Sequence, residues 1–123
     1  MRALIDTNVL VWWLYDHPRL APYRRLIEDP RNDILFSSIS VTEVSLKAST
    51  GKLVMPNGYV EQLKESGIRE LEFTSAHGLA IATLPWHHKD PFDRMIIAQA
   101  LSEGLPVVTA DPIFSSYGLQ VVG

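Results

Sequence analysis

The 123-residue chain contains no cysteine, which excludes disulfides, a thiolate metal site and a cysteine nucleophile. No apolar run reaches the length of a membrane span. The one apolar stretch near the start is interrupted by Asp6 and is followed by no small-residue cleavage site, so no secretory signal is expected. Together these absences predict a cytoplasmic protein without membrane association. An excess of basic charge is also lacking: 11 Lys and Arg stand against 14 Asp and Glu, for a net charge of −3. That excludes a nucleic-acid coat protein, whose footprint is strongly basic, but not an enzyme that meets nucleic acid through bound cations. Repeats, low-complexity segments and linkers are absent too, and 46 % of the residues are hydrophobic. One folded domain spanning residues 1–123 is expected.

What is present is an alternation of strand-like and helix-like segments. Ala3 to Ile5 reads as a short buried strand, and Val9 to Leu14 as a buried first helix, with Asp6 at the junction. Asp16-His17-Pro18 breaks the chain before an amphipathic helix over Leu20 to Glu28. Ile34 to Phe36 is the second strand. Ser40 and Glu43 then show capping-box spacing at the start of a helix that runs towards Gly51. A loop over Met55 to Gly58 leads to a helix from Tyr59 to Ser66, a strand over Leu71 to Phe73, and a helix from Thr74 to Leu84 stopped by Pro85. The best-delimited helix follows the Trp86 to Asp90 loop: Asp90 caps it, Pro91 occupies its first position and Gly104 ends it. Val107 to Thr109 and Leu119 to Val122 close the chain as strands. This order predicts an α/β fold with a central, mostly parallel sheet covered by helices on both faces. Right-handed crossovers then bring every strand-to-helix junction to one edge.

Acids stand at those junctions: Asp6 after the first strand, Glu43 in the helix after the second, Asp93 in the first turn of the Asp90 helix, and Asp111 after Val107 to Thr109. Each also reads as a helix cap or a turn residue. Converged at one edge, however, they need a counter-charge, because two carboxylates 4 Å apart repel by about 4 kcal/mol at an effective dielectric of 20. An oxygen-only donor set without cysteine favours Mg²⁺ or Mn²⁺ over zinc, and such a site suits water attack on a phosphodiester.

The segments LIDTNVLVWWL, SSISVTEVSLK, HKDPFDRMIIAQAL and VVTADPIFSSYG, in this order along nearly the whole chain, resemble the PIN domain family, and within it the VapC-type toxins of toxin–antitoxin pairs. DPFDR with the following IAQA is the most specific of them. The resemblance implies a three-layer PIN-like fold and a Mg²⁺- or Mn²⁺-dependent endoribonuclease in which metal-activated water hydrolyses RNA. It implies Asp6, Glu43, Asp93 and Asp111 as the catalytic, metal-binding acids. At the fourth position related proteins vary between Asp and Asn, and they can carry another acid slightly later, where this chain has Ile113-Phe114. Asp90 belongs to the same motif as the helix cap. Thr7, Asn8 and Thr109 fall where polar side chains orient ligands or waters from behind. Lys47 and Arg94 are candidate RNA contacts, while Lys47, four residues from Glu43, also reads as its helix-surface ion pair. His87 reads as solvated surface, and His88 matches a family position without a role assigned to it. Family partners are RNA, a VapB-like antitoxin and a second copy in a homodimer. The first helix, apolar nearly all round, suits either a partner surface or burial on two sides within the domain.

Two other readings compete. An aspartyl-nucleophile phosphatase would carry a second acid two residues after the first, where this chain has Asn8. A non-enzymatic partner-binding domain would use its acids only as caps.

Overall fold

The computed structural model describes residues 1–122. Five parallel strands, β1 (Arg2–Ile5), β2 (Asp33–Ser37), β3 (Arg69–Leu71), β4 (Val107–Val108) and β5 (Val121–Val122), form one sheet in the order β3-β2-β1-β4-β5. Six α-helices, α1 (Thr7–Tyr15), α2 (Arg24–Glu28), α3 (Ser38–Ser49), α4 (Tyr59–Glu65), α5 (Ser75–Ile81) and α6 (Pro91–Glu103), alternate with them. Short 3-10 turns lie at Pro18–Leu20 and Pro112–Tyr117. The strands run β1 to β3 in one direction across the sheet and then resume on the other side of β1. The crevice beside β1 is therefore a topological switch point, where open α/β sheets bind ligands at the carboxyl ends of their strands.

The strand sequences are apolar on both faces because both faces are covered. Ala3, Ile5, Ile34, Phe36 and Val108 pack with Val9 and Leu10 of α1, Leu20, Ile27, Leu63 and Ile68. The intervening Leu4, Leu35 and Val107 point the other way, into a core with Ile96, Ile97 and Ala100 of α6, Phe114 and Tyr117. The two-residue period of the strands thus divides the molecule into three layers, as the alternation predicts. Both Val9 and Leu10 are fully buried, whereas Val11 to Leu14 are half-buried, so α1 covers the sheet with one side and keeps a partly open apolar side. No helix among the described residues is long and apolar enough to cross a membrane.

Four local expectations are corrected. Leu20 to Glu28 is not one helix: Pro22, which lacks an N–H, separates the Pro18–Leu20 turn from α2. The third strand is Arg69–Leu71 rather than Leu71 to Phe73, because β3 is an edge strand placed by its pairing with β2, Leu35 opposite Arg69 and Ser37 opposite Leu71. The helix expected to reach Leu84 ends at Ile81, ahead of the restriction that Pro85 imposes on its predecessor. Finally, α3 begins at Ser38 with Ser37 as its cap, accepting the Ile39 N–H at 3.0 Å, so Ser40 and Glu43 form no capping box.

Candidate active site

Asp6 occupies the first position beyond β1, where its backbone N–H still donates to Val108 O at 3.1 Å. Its Oδ1 accepts the Val9 N–H at 2.8 Å and so caps α1, while Oδ2 accepts the hydroxyl of Thr109. The residue is 4 % exposed. Burial above all, assisted by the charges of Asp111 and Glu43, pushes its pKa up to about 6, against the opposing pull of the Thr109 and Val9 hydrogen bonds. Asp6 is therefore both a cap and a group under electrostatic load.

Glu43 lies in the second turn of α3, on the face turned towards the sheet edge, and is buried. Its Oε2 meets Lys47 Nζ at 2.7 Å, one helical turn on, whereas Oε1 is buried without a hydrogen-bond partner. An orphaned carboxylate oxygen is costly, and it marks the place where a positive charge would be welcome. Ser40, one turn earlier, is fully buried and hydrogen-bonds Thr7 through their hydroxyls at 2.9 Å, tying α3 to the start of α1.

Asp93 is the third residue of α6. Asp90 caps the helix by accepting the Asp93 N–H at 3.0 Å, but Asp93 does not reach back to close a capping box; its Oδ2 lies 3.3 Å from His88 Nε2. Burial, then the neighbouring Asp90 charge, raises its pKa to about 6, with Glu43 adding to the rise and His88 opposing it. Asp111 follows β4 and caps the Pro112–Tyr117 turn by accepting the Ile113 N–H at 3.0 Å. Its own N–H donates to Thr109 Oγ1 at 3.0 Å.

These four acids, with Asp90, Thr7, Asn8, Lys47 and Phe114, line one cavity of about 210 Å³. Five carboxyls face a single ammonium. Among the described residues, no three His, Asp or Glu side chains stand close enough together to make a closed metal-binding group. The donor set nevertheless fits a hard divalent cation in kind: carboxylate oxygens only, one of them orphaned, and two acids whose pKa values are raised by burial and by their neighbours.

Arg94, expected as an RNA contact, is placed otherwise. It is 3 % exposed, its guanidinium donates to Pro85 O, Leu84 O and Tyr117 Oη, and its Cζ lies 3.7 Å from the centre of the Trp86 ring. Adjacent helical residues diverge by about 100°, so a neighbour of Asp93 points away from the cavity that Asp93 lines. Lys47, in contrast, is 47 % exposed on its side chain and lines the cavity. Two residues beside the acids carry no sequence signal for their position. Tyr117 stands in the VVTADPIFSSYG segment with no role of its own marked by the sequence, and Ser40 reads as a cap.

The sequence model of the PIN domain matches residues 3–119. The chain belongs to the PIN domain family. Among solved structures, this PIN chain is similar to VapBC2 from Rickettsia felis bound to a DNA fragment from its promoter, at 20 % identity, with 99 % of this chain and 98 % of that one covered and a TM-score of 0.72. DNA-bound VapBC from Salmonella typhimurium matches at 21 % identity, with 99 % and 97 % covered and a TM-score of 0.72. A toxin–antitoxin complex from Klebsiella pneumoniae matches at 22 % identity, with 98 % and 96 % covered and a TM-score of 0.65. At these identities the likeness establishes the fold. No curated protein sequence matches this PIN chain significantly.

Proposed function

We propose that this PIN chain is a single-domain, divalent-metal-dependent endoribonuclease that acts as the toxin of a toxin–antitoxin pair. The observation that carries the reading is the meeting of Asp6, Glu43, Asp93 and Asp111 around one cavity at the switch point of a PIN-family sheet, with the buried Glu43 Oε1 lacking a partner. In this reading those four residues hold Mg²⁺ or Mn²⁺. When bound, the ion supplies activation of water and neutralises charge developing at the scissile phosphodiester.

The chain's own residues set up the rest. Thr109 holds one oxygen of Asp6, and the Val9 N–H holds the other, so the carboxylate plane is fixed before any ligand arrives. Thr7 and Ser40 lock α1 to α3, which fixes Asp6 relative to Glu43. Lys47 neutralises one oxygen of Glu43 and offers its ammonium to an RNA phosphate at the cavity mouth. Asn8, exposed beside them, serves as a second polar contact. The similarity to VapBC complexes supports an antitoxin partner, and the half-open apolar side of α1 suits it or a second copy of the chain.

The non-enzymatic reading, with acids serving only as caps, accounts for Asp6 and Asp111. It leaves unexplained a buried Glu43 that caps nothing and an Asp93 whose carboxylate is turned to His88. The deciding experiment is RNA cleavage with Mg²⁺ or Mn²⁺ by the wild-type chain and by Asp6→Asn, alongside calorimetric Mn²⁺ titration. Wild-type cleavage that disappears on metal chelation and in Asp6→Asn is expected. Full cleavage by Asp6→Asn, or none by the wild type on a broad set of RNAs, overturns the reading.

A further inference from the structure

Tyr117 is 6 % exposed at the end of the 3-10 turn that Asp111 caps, and its phenol oxygen stands at the centre of three polar contacts. Arg94 Nη1 donates to it at 3.2 Å, and the His88 backbone N–H donates to it at 3.2 Å. Two N–H donors fill its accepting capacity, so its own hydrogen goes to the remaining neighbour, His88 Nδ1, at 2.7 Å. A ring nitrogen that accepts carries no proton. The imidazole hydrogen therefore sits on Nε2, which faces Asp93 Oδ2 at 3.3 Å and donates to it. Arg94 cannot drift from this arrangement, because its guanidinium is also anchored on Pro85 O at 2.8 Å and Leu84 O at 3.2 Å.

The chain of bonds runs from a buried cation through Tyr117 and His88 to a carboxylate of the cavity. It also joins two of the acids, since the turn that begins at Asp111 ends at the tyrosine whose hydroxyl sets the histidine gripping Asp93. We propose that Tyr117 and His88 are positioning residues of the acidic site: Tyr117 fixes His88 as the Nε2–H tautomer, and His88 anchors one oxygen of Asp93 so that the carboxylate is oriented to take a divalent cation. The proposal rests on the metal-site reading given above, but its tautomer half is measurable on the chain alone. A histidine held this way resembles the outer partners of metal-binding side chains, whose removal typically weakens metal binding about 10- to 100-fold.

The test uses the full chain labelled with ¹⁵N-histidine, at a pH well above the imidazole range, together with calorimetric Mn²⁺ titrations and steady-state RNA cleavage. Wild type is expected to show the Nε2–H signature for His88, and Tyr117→Phe a mixture of tautomers. His88→Ala is expected to weaken Mn²⁺ about tenfold and to lower kcat with little change in KM for RNA. His88→Gln, whose side-chain N–H can still reach Asp93, is expected to recover most of both. A merely structural histidine would give Ala and Gln variants with equal Mn²⁺ affinity. An Nδ1–H signature in the wild type, or unchanged Mn²⁺ affinity in His88→Ala beside a wild type that binds Mn²⁺, overturns this proposal and leaves the nuclease reading standing. A wild type that binds no Mn²⁺ overturns both, whereas Mn²⁺ binding that falls in His88→Ala while no RNA is cleaved overturns the nuclease reading alone.

Discussion

Thr109 donates its hydroxyl to Asp6 across 103 positions of sequence, and its oxygen accepts the Asp111 N–H at 3.0 Å. One side chain thereby fixes the carboxylate of the first acid and the backbone of the fourth. This is possible because β1 and β4 are neighbours, with Ile5 opposite Val108, so the residues that follow each strand emerge side by side. The acid most deeply buried at the edge is thus held by a neighbour strand rather than by its own helix alone.

Asp6→Asn is expected to stabilise the metal-free chain while removing its activity. A carboxyl whose pKa is raised from 3.8 to about 6 by burial loses stability on ionising. The full linkage value of such a shift is about 3 kcal/mol, and part is forfeited with the charge-assisted bond from Thr109, so a net gain of about 1–2 kcal/mol at neutral pH is expected. Urea denaturation in chelator measures it. A loss of stability would mean that Asp6 is not under load.

The pH dependence of metal-free stability follows with its sign. Asp6 and Asp93, both raised to about 6, bind protons more tightly folded than unfolded. Their protonation favours the fold below the ordinary carboxylate range, and that contribution is lost as pH rises through about 6. Asp29, lowered to about 2 by its Arg31 hydrogen bonds, and Asp33, lowered by Arg69 and Arg2, act oppositely but only at more acid pH. Melting temperature in chelator is therefore expected to fall between about pH 4.5 and about pH 7, and to rise over the same range with saturating Mn²⁺, which needs the acids ionised. Parallel curves with and without Mn²⁺ would contradict this.

Lys47→Gln separates the lysine's two contacts. It removes the 2.7 Å partner of Glu43 Oε2 and a cation of the cavity rim. KM for RNA is expected to rise several-fold and to lose part of its salt dependence, while Mn²⁺ affinity holds or increases because a competing cation has left Glu43. Weaker Mn²⁺ binding would instead make the lysine a support of the metal site.

Arg94→Lys is expected to be poorly tolerated despite conserving charge. The guanidinium serves Pro85 O, Leu84 O and Tyr117 Oη from one plane and stacks on Trp86, whereas an ammonium on a flexible stem cannot reproduce that fork. A loss of about 2–4 kcal/mol is expected from denaturant titration, with quenching changes in the Trp86 fluorescence reporting the lost stack. A near-neutral effect would show that the loop does not depend on this anchor.

The sequence by itself determined the alternation, the parallel sheet buried on both faces, and both ends of α6, because Asp90, Pro91, Gly104 and the strand hydrophobicity act within a few residues of themselves. It also marked Asp6, Glu43, Asp93 and Asp111 as junction acids, and the tertiary structure brings them around one cavity. What it left undecided depended on phase and on distant partners. The Ser40–Glu43 spacing imitates a capping box, yet β2 runs on to Ser37 and moves the cap three residues earlier, turning Ser40 towards Thr7 and leaving Glu43 on the cavity side. Arg94 adjoins Asp93 in sequence, but the turn of α6 sends it to Trp86 and Tyr117 instead. The tautomer of His88 is set by a phenol 29 residues away, and the hold on Asp6 by a threonine 103 residues away. Backbone propensities and caps are local energies that a linear reading can sum, whereas the direction of a side chain and its hydrogen-bond partner are fixed only when strand order and helix rotation bring distant segments together.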